Sequence, residues 1–173
     1  MANGKWETQH KSTEKGSDDW QTPESFFAPL HAEFNFEIDA AASPRNALLP
    51  KFWTAGDDAL SQDWSAYKTV WCNPPYGRDI GSWLKKGWEA SQKGTTVVFL
   101  IFARPDTQWW ADYAWRASEW RFVQGRLSFT PADGGKAWAS PAPSVVVIYR
   151  KPSWFQTKLK VIGIDRKGCQ VNG

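Results

Sequence analysis

A turn that follows a strand at residues 69–76 carries the polar groups best placed to do chemistry. Residues 69–72 (Thr-Val-Trp-Cys) favour a buried strand. Asn73–Tyr76 (Asn-Pro-Pro-Tyr) cannot continue this strand, because its two prolines lack N–H donors and fix φ at about −65°. The sequence therefore predicts a rigid turn that brings together an amide side chain, a proline carbonyl and an aromatic ring.

These three groups suit the binding of a planar amine. The amide oxygen of Asn73 and the carbonyl oxygen of Pro74 both accept hydrogen bonds, so together they can hold an exocyclic –NH2 group through its hydrogens. The ring of Tyr76 can stack on the flat face of a base. Read alone, the tetrapeptide is equally compatible with an ordinary turn in which Tyr76 covers the surface.

The same four residues resemble the catalytic motif of amino-methyltransferases that use S-adenosylmethionine. Residues 18–150 as a whole resemble phage-type DNA adenine-N6 methyltransferases (Dam-type). This resemblance implies that Asn73, Pro74, Pro75 and Tyr76 are the catalytic residues. It also implies methyl transfer to an adenine flipped out of double-stranded DNA, by a Rossmann-like methyltransferase domain with a mostly parallel sheet.

A helix is predicted to begin shortly before residue 24. Thr22 is a good N-cap, Pro23 suits the first helical position, and residues 26–30 supply an apolar face. Pro29 predicts that this helix is short or kinked. In the family that the chain resembles, a Thr-Pro pair before the first strand touches the cofactor, which implies that role for Thr22 and Pro23. Ordinary capping alone would also explain the pair.

Alternating apolar residues at 34–38 predict a strand that ends at Asp39. The alanines that follow are small enough for a ligand to approach the backbone. Asp39, Ala40 and Ala41 resemble the cofactor-binding motif I in its Asp-x-Ala-Ala form, which departs from the usual Gly-x-Gly loop. By itself, the segment is also compatible with a strand followed by an alanine-rich helix.

Two acids precede the catalytic strand, at Asp57 and Asp58. Either carboxylate could bond to the ribose hydroxyls or the adenine amine of a cofactor. The family carries an acidic Asp-x-Leu element here, which Asp58 fits by position, whereas Asp57 is suited to capping the turn. Both acids are also compatible with solvent-exposed loop positions.

Strands and helices alternate along the chain, which predicts a single-domain α/β sandwich. The catalytic turn and Asp39 both follow strand ends, where open α/β sheets bind ligands. Helices are predicted at 82–92 and 108–117, strands at 96–102, 120–123, 144–149 and 159–164, and a loop at 131–143. The methyltransferase domain is placed at 18–150, between a flexible polar tail at 1–17 and a basic C-terminal extension at 151–173.

Charge is distributed unevenly along the chain. Residues 1–103 carry 10 Lys and Arg against 13 Asp and Glu, whereas residues 104–173 carry 11 against 5. A basic C-terminal part favours a polyanionic partner. The candidates for DNA contacts are the basic residues of the loops that follow predicted strands: Arg78, Arg104, Arg126 and Lys136.

The remaining composition predicts a cytosolic protein, in the bacterial host cytoplasm if the chain is phage-encoded. No apolar run approaches the roughly 18 residues of a membrane span, and the N-terminus lacks the apolar region of a secretory signal. The two cysteines and two histidines have no metal-ligand spacing, so no metal is expected. The oligomeric state is not readable from the sequence.

Two other functions remain open at this point. The same chemistry could act on a protein glutamine or on the N4 amine of cytosine, because related motifs occur in those enzymes. A non-enzymatic alternative is a module that binds single-stranded nucleic acid by stacking, which the 13 tryptophans and the basic C-terminal part would suit. An intact Asn73–Tyr76 argues against that module, because binding alone does not need this geometry.

Overall fold

A computed structural model describes residues 20–151 and 159–171 of the 173-residue chain. The predicted polar tail at 1–17 lies outside the described residues. The strands are β1 (Trp20–Gln21), β2 (Ile38–Asp39), β3 (Thr69–Cys72), β4 (Thr96–Phe102), β5 (Glu119–Val123), β6 (Ser128–Pro131), β7 (Trp138–Ala139), β8 (Ser144–Tyr149) and β9 (Lys160–Ile164). The α-helices are α1 (Glu24–Phe34), α2 (Ile80–Gln92) and α3 (Gln108–Asp112), and single 3-10 turns lie at Ala55–Asp57, Trp64–Ala66 and Ala114–Arg116.

The main sheet has six strands in the order β2-β3-β4-β8-β5-β9. Strand β8 runs antiparallel to both of its neighbours, whereas the β2–β3, β3–β4 and β5–β9 pairs are parallel. The predicted α/β class is confirmed, with a mixed sheet. The apolar run at 96–102 forms β4 at the centre, as its continuous hydrophobicity predicts.

The sheet is covered on both faces by helices. Val97, Phe99 and Ile101 of β4 pack on one face with residues of α2 and α3. Val98 and Leu100 point to the other face, where they join the apolar side of α1. The strict alternation of these buried side chains follows from the two-residue period of a strand.

Helix α1 corrects two predictions. It continues through Pro29 to Phe34, so it is not short, and Phe34 belongs to the helix rather than to a strand. Burial of the side chains at 26, 27 and 30 offsets the hydrogen bond that Pro29 cannot donate. The helix ends at Asn35, which has a left-handed φ of 52° and donates its backbone N–H to His31.

The C-terminal half contains more strand than predicted. The loop expected at 131–143 includes β7 and the last residue of β6, which form a separate three-stranded sheet in the order β1-β6-β7. The helix expected at 108–117 ends at Asp112 and gives way to a 3-10 turn. The strand predicted at 159–164 is confirmed as β9, which extends the main sheet beside β5. No described helix is long and apolar enough to cross a membrane.

A close approach between α2 and β4 generates a stability prediction. A Cβ atom at Gly87 would lie 2.3 Å from Cε2 and 2.7 Å from Cζ of Phe99. We therefore expect Gly87→Ala to destabilise the protein by about 1–3 kcal/mol, although alanine is the better helix former. Urea unfolding measures the change, with the exposed Ser82→Ala of the same helix as the control. Equal or greater stability of Gly87→Ala would show that Phe99 moves aside at little cost.

Candidate active site

A cavity of about 1010 Å³ lies where β2, β3 and β4 end. The segments that follow these parallel strands, residues 40–43, residues 73–76 and Phe102, form one wall. The three-stranded sheet contributes the facing residues Trp20, Phe129 and 138–141, and the segment 53–60 closes a third side. The Asn73 turn and the alanine loop, which both follow strand ends, thus line the same cavity.

The Asn73 side chain is held by hydrogen bonds at both ends of its amide. Its Nδ2 donates to Thr22 Oγ1 at 3.1 Å, and its Oδ1 accepts from the Tyr76 hydroxyl at 3.3 Å. Thr22 is buried and does not line the cavity, whereas Asn73 and Tyr76 do. The amide nitrogen is therefore held by a residue outside the cavity lining, and the amide oxygen is held by a residue of the lining.

Thr22 is free for this contact because it does not cap α1. The N-cap is Pro23, whose carbonyl accepts from the backbone N–H groups of Phe26 and Phe27 at 2.9 and 3.1 Å. The predicted N-cap role of Thr22 is therefore wrong, and the helix begins one residue later than predicted. Pro23 also lies outside the cavity lining.

The Tyr76 ring forms part of the cavity wall together with Phe102. Their ring centroids are 3.8 Å apart with an interplanar angle of 7°, a fully stacked arrangement. Phe102 thus covers one face of Tyr76, and a planar ligand must use the other face unless Phe102 moves. Burial raises the pKa of the Tyr76 hydroxyl, so it stays protonated and continues to donate to Asn73.

Asp39 lies behind the cavity wall rather than in it. The side chain is 3% exposed, and its two carboxylate oxygens accept from the backbone N–H groups of Ala41 and Leu48 at 3.3 Å. Burial raises its pKa to about 6, although these two hydrogen bonds act in the opposite direction. Asp39 thus shapes the loop in which Ala40 and Ala41 line the cavity.

The two acids at 57 and 58 have different surroundings. Asp57 Oδ2 accepts from both the backbone N–H and the hydroxyl of Thr54 at 2.7 Å, and these bonds lower its pKa. This is the turn-capping arrangement that the sequence predicted for Asp57. Asp58 has a left-handed φ of 49° and lines the cavity, so Asp58 is the acid that a ligand there would meet.

The four basic candidates are exposed and lie close in sequence to residues of the cavity lining without forming part of it. Arg78 adjoins the lining residue Asp79, and the others lie within three residues of lining positions: Arg104, Arg126 and Lys136. Their contact with DNA stays a prediction. Across the described ranges, no group of three His, Cys, Asp or Glu side chains is placed to hold a metal ion.

Aromatic residues of the cavity wall were missed by sequence reasoning. Trp53, Trp83, Phe102 and Trp138 all line the cavity although they belong to no recognised motif. Their signal in the sequence is the high tryptophan count, which does not indicate which rings face a ligand. Trp53 is positioned by an edge contact with Tyr67 at 5.6 Å between ring centroids.

The sequence of the chain is similar to that of a known protein family. The family model for DNA N-6-adenine-methyltransferase (Dam) matches residues 9–168. The chain belongs to this family. The Asn-Pro-Pro-Tyr turn and the alanine loop of this Dam family chain both fall within the matched residues, as does the segment at 138–141.

Two relatives carry the same name as the family. A DNA N-6-adenine-methyltransferase of Escherichia phage T1 is 31% identical over 137 residues, which are 69% of this chain and 57% of the relative. A DNA N-6-adenine-methyltransferase of Haemophilus phage HP1 is 28% identical over 131 residues, 73% of this chain and 75% of the relative. This Dam family chain thus spans little more than half the length of the T1 relative.

The burial of Asp39 generates a prediction about pH. Its pKa is 3.8 before folding and about 6 in the folded protein, so the folded state holds this proton more tightly. The stabilising contribution is complete below about pH 4 and is lost as the pH rises through about 6. Relative to Asp39→Asn, we expect the wild-type free energy of unfolding to fall by about 3 kcal/mol across this window.

Chemical unfolding of both proteins at pH 4 to 7, in steps of about half a unit, measures this difference. If the two stability curves run parallel, the folded protein does not retain the Asp39 proton, and its carboxylate is charged at neutral and mildly acidic pH alike.

Proposed function

We propose that this chain transfers a methyl group from S-adenosylmethionine to the N6 amine of adenine in double-stranded DNA. The observation that carries the proposal is the cavity residue Asn73, whose amide nitrogen is held by Thr22 and whose amide oxygen is held by the lining residue Tyr76. Membership of the Dam family and the printed names of the two phage relatives favour adenine as the base.

The cavity fits a cofactor of this kind. Its volume of about 1010 Å³ exceeds what one small molecule needs, so a cofactor and a base can share it. Ala40 and Ala41 leave the backbone accessible, and Asp58 offers a carboxylate for hydroxyl or amine groups. When bound, S-adenosylmethionine supplies a methyl group on a positively charged sulfur. A Rossmann-like methyltransferase fold is part of the proposal, supported by the shared direction of β2, β3 and β4.

The protein groups act by holding and orienting the amine. Asn73 Oδ1 and the Pro74 carbonyl accept hydrogen bonds from the –NH2 group, which turns its nitrogen lone pair toward the reacting methyl carbon. Tyr76 offers a ring face for the base, and Pro75 keeps the turn rigid. The thiol of Cys72 is buried and burial raises its pKa, so it is unsuited to a nucleophilic role.

The substrate must come to the cavity, since the N6 amine of a stacked base is out of reach of Asn73. We propose that the target adenine leaves the duplex and enters beside Tyr76. The exposed cations Arg78, Arg104, Arg126 and Lys136 are then available for the phosphates around the opening. This reaction takes place in the bacterial host cytoplasm if the chain, like its two relatives, comes from a phage.

The product analysis described below also distinguishes adenine from the other amine substrates. A glutamine amide or the N4 amine of cytosine would present the same donors to Asn73 and Pro74. Pocket geometry is common to these amines, and the family match is what favours adenine.

The first prediction from this function concerns the reaction product. Wild-type protein, methyl-labelled S-adenosylmethionine and unmethylated double-stranded DNA should give label in N6-methyladenine on nucleoside analysis. We expect Asn73→Ala to bind the cofactor as tightly as the wild type in calorimetry but to transfer methyl at least about 100-fold more slowly. Label in N4-methylcytosine would favour the cytosine alternative. Cofactor binding without label in DNA would favour a protein substrate. The absence of both cofactor binding and methyl transfer would favour the stacking module.

The second prediction separates two roles for Thr22. If Thr22 fixes the Asn73 amide, Thr22→Val should lower kcat about 10-fold with an unchanged dissociation constant for the cofactor, because an oxygen is lost at constant shape. Thr22→Ser keeps Oγ and should stay close to wild type. Weaker cofactor binding by Thr22→Val with an unchanged kcat would instead support the direct cofactor contact that the family resemblance implies.

A further inference from the structure

Trp138 stands out among the exposed apolar side chains. Within residues 20–151 and 159–171, four large hydrophobic side chains are strongly exposed, namely Trp115, Phe122, Trp138 and Val161. Trp138 is the most exposed of them at 65%, and it is the member of this group that also lines the cavity. A large apolar side chain that is exposed and also lines a ligand cavity is placed to contact a molecule that enters that cavity.

The hairpin formed by β6 and β7 places this indole at the rim. Phe129 of β6 lies directly opposite Trp138 of β7, and paired residues of an antiparallel ladder share a face. Phe129 is 6% exposed and belongs to the core, so it anchors the hairpin. Trp138 shares this face but is strongly exposed, so its side chain meets both the cavity and solvent.

The same hairpin carries charge suited to nucleic acid. Arg126 precedes β6 and Lys136 precedes β7, with Asp133 as the acid between them. The hairpin lies within residues 104–173, where Lys and Arg outnumber Asp and Glu by 11 to 5. Cations on the same hairpin as an exposed aromatic ring fit a DNA duplex better than an apolar protein surface.

We infer that Trp138 enters the DNA duplex at the position vacated by the flipped adenine. This inference rests on the proposed function, because a base drawn into the cavity leaves a gap in the stack beside the opening. Apolar side chains placed between base steps stabilise such unstacked DNA. The indole is large and flat enough to stack on the neighbouring bases, and it needs no rearrangement to reach solvent.

The test compares one protein change on two duplexes. The first duplex carries the sequence that the wild type methylates, and the second has an abasic position opposite the same target adenine. We expect Trp138→Ala to methylate the first duplex at least about 10-fold more slowly and the second duplex less than about 2-fold more slowly than the wild type does. The reason is that an adenine opposite an abasic position is already unpaired and costs less free energy to flip. Trp115→Ala is the matched control, since Trp115 is 56% exposed but lies away from the cavity.

Each other outcome counts against the inference. Equal losses by Trp138→Ala on both duplexes, or losses matched by Trp115→Ala, would overturn it while leaving the proposed function in place. A raised dissociation constant for S-adenosylmethionine in Trp138→Ala would overturn it by placing the indole against the cofactor. Absence of transfer by the wild type to either duplex would overturn the proposed function and this inference together.

Discussion

The parallel alignment of β2, β3 and β4 is the constraint on which the candidate active site depends. Asp39 lies opposite Trp71, and Cys72 lies opposite Phe99, so these strands end at the same edge of the sheet. Parallel strands need crossover connections, which α2 supplies between β3 and β4 and which leave the segments at their carboxyl ends available to a ligand. The prolines at 74 and 75 then stop β3 just before the cavity, because they cannot extend the ladder.

The position of Asn73 also depends on how α1 docks against the sheet. Thr22 precedes this helix, so the Thr22–Asn73 bond requires α1 to stay in register with β3. Apolar burial holds one end of α1, and at its other end Arg121 of β5 donates both terminal guanidinium nitrogens to Glu33. Arg121 is itself held by an ion pair with the buried Glu119. Burial alone would raise the pKa of Glu119, but its hydrogen bonds with Arg121 and Arg150 lower that pKa. An ion cluster on β5 thus holds the far end of the helix that follows Thr22.

The sequence was informative where one local pattern decides the structure. The apolar run of β4 and the Pro-Pro stop after β3 could be predicted because each follows from backbone chemistry at those residues. Prediction from the sequence failed where packing between distant residues decides the local structure. The proline at 29 predicts a short helix, but buried aromatic side chains outweigh the missing donor. Asp39 was expected at the ligand, and its backbone partners at 41 and 48 became visible only with the folded loop. The wall formed by β1, β6 and β7 depends on pairing across more than a hundred residues, which no local pattern encodes.

The tryptophans bear on the alternative of a non-catalytic stacking module. Such a module needs several rings presented together on a basic surface. Four described tryptophans are buried in the core, at 64, 71, 110 and 120, and several others line the cavity. Strong exposure is limited, within the described residues, to Trp115 and Trp138, and Trp115 lies against Trp120 rather than beside the cavity. The rings therefore mainly pack the core or line the cavity that contains Asn73, and they are not presented together on one basic surface as a module that binds a single strand requires.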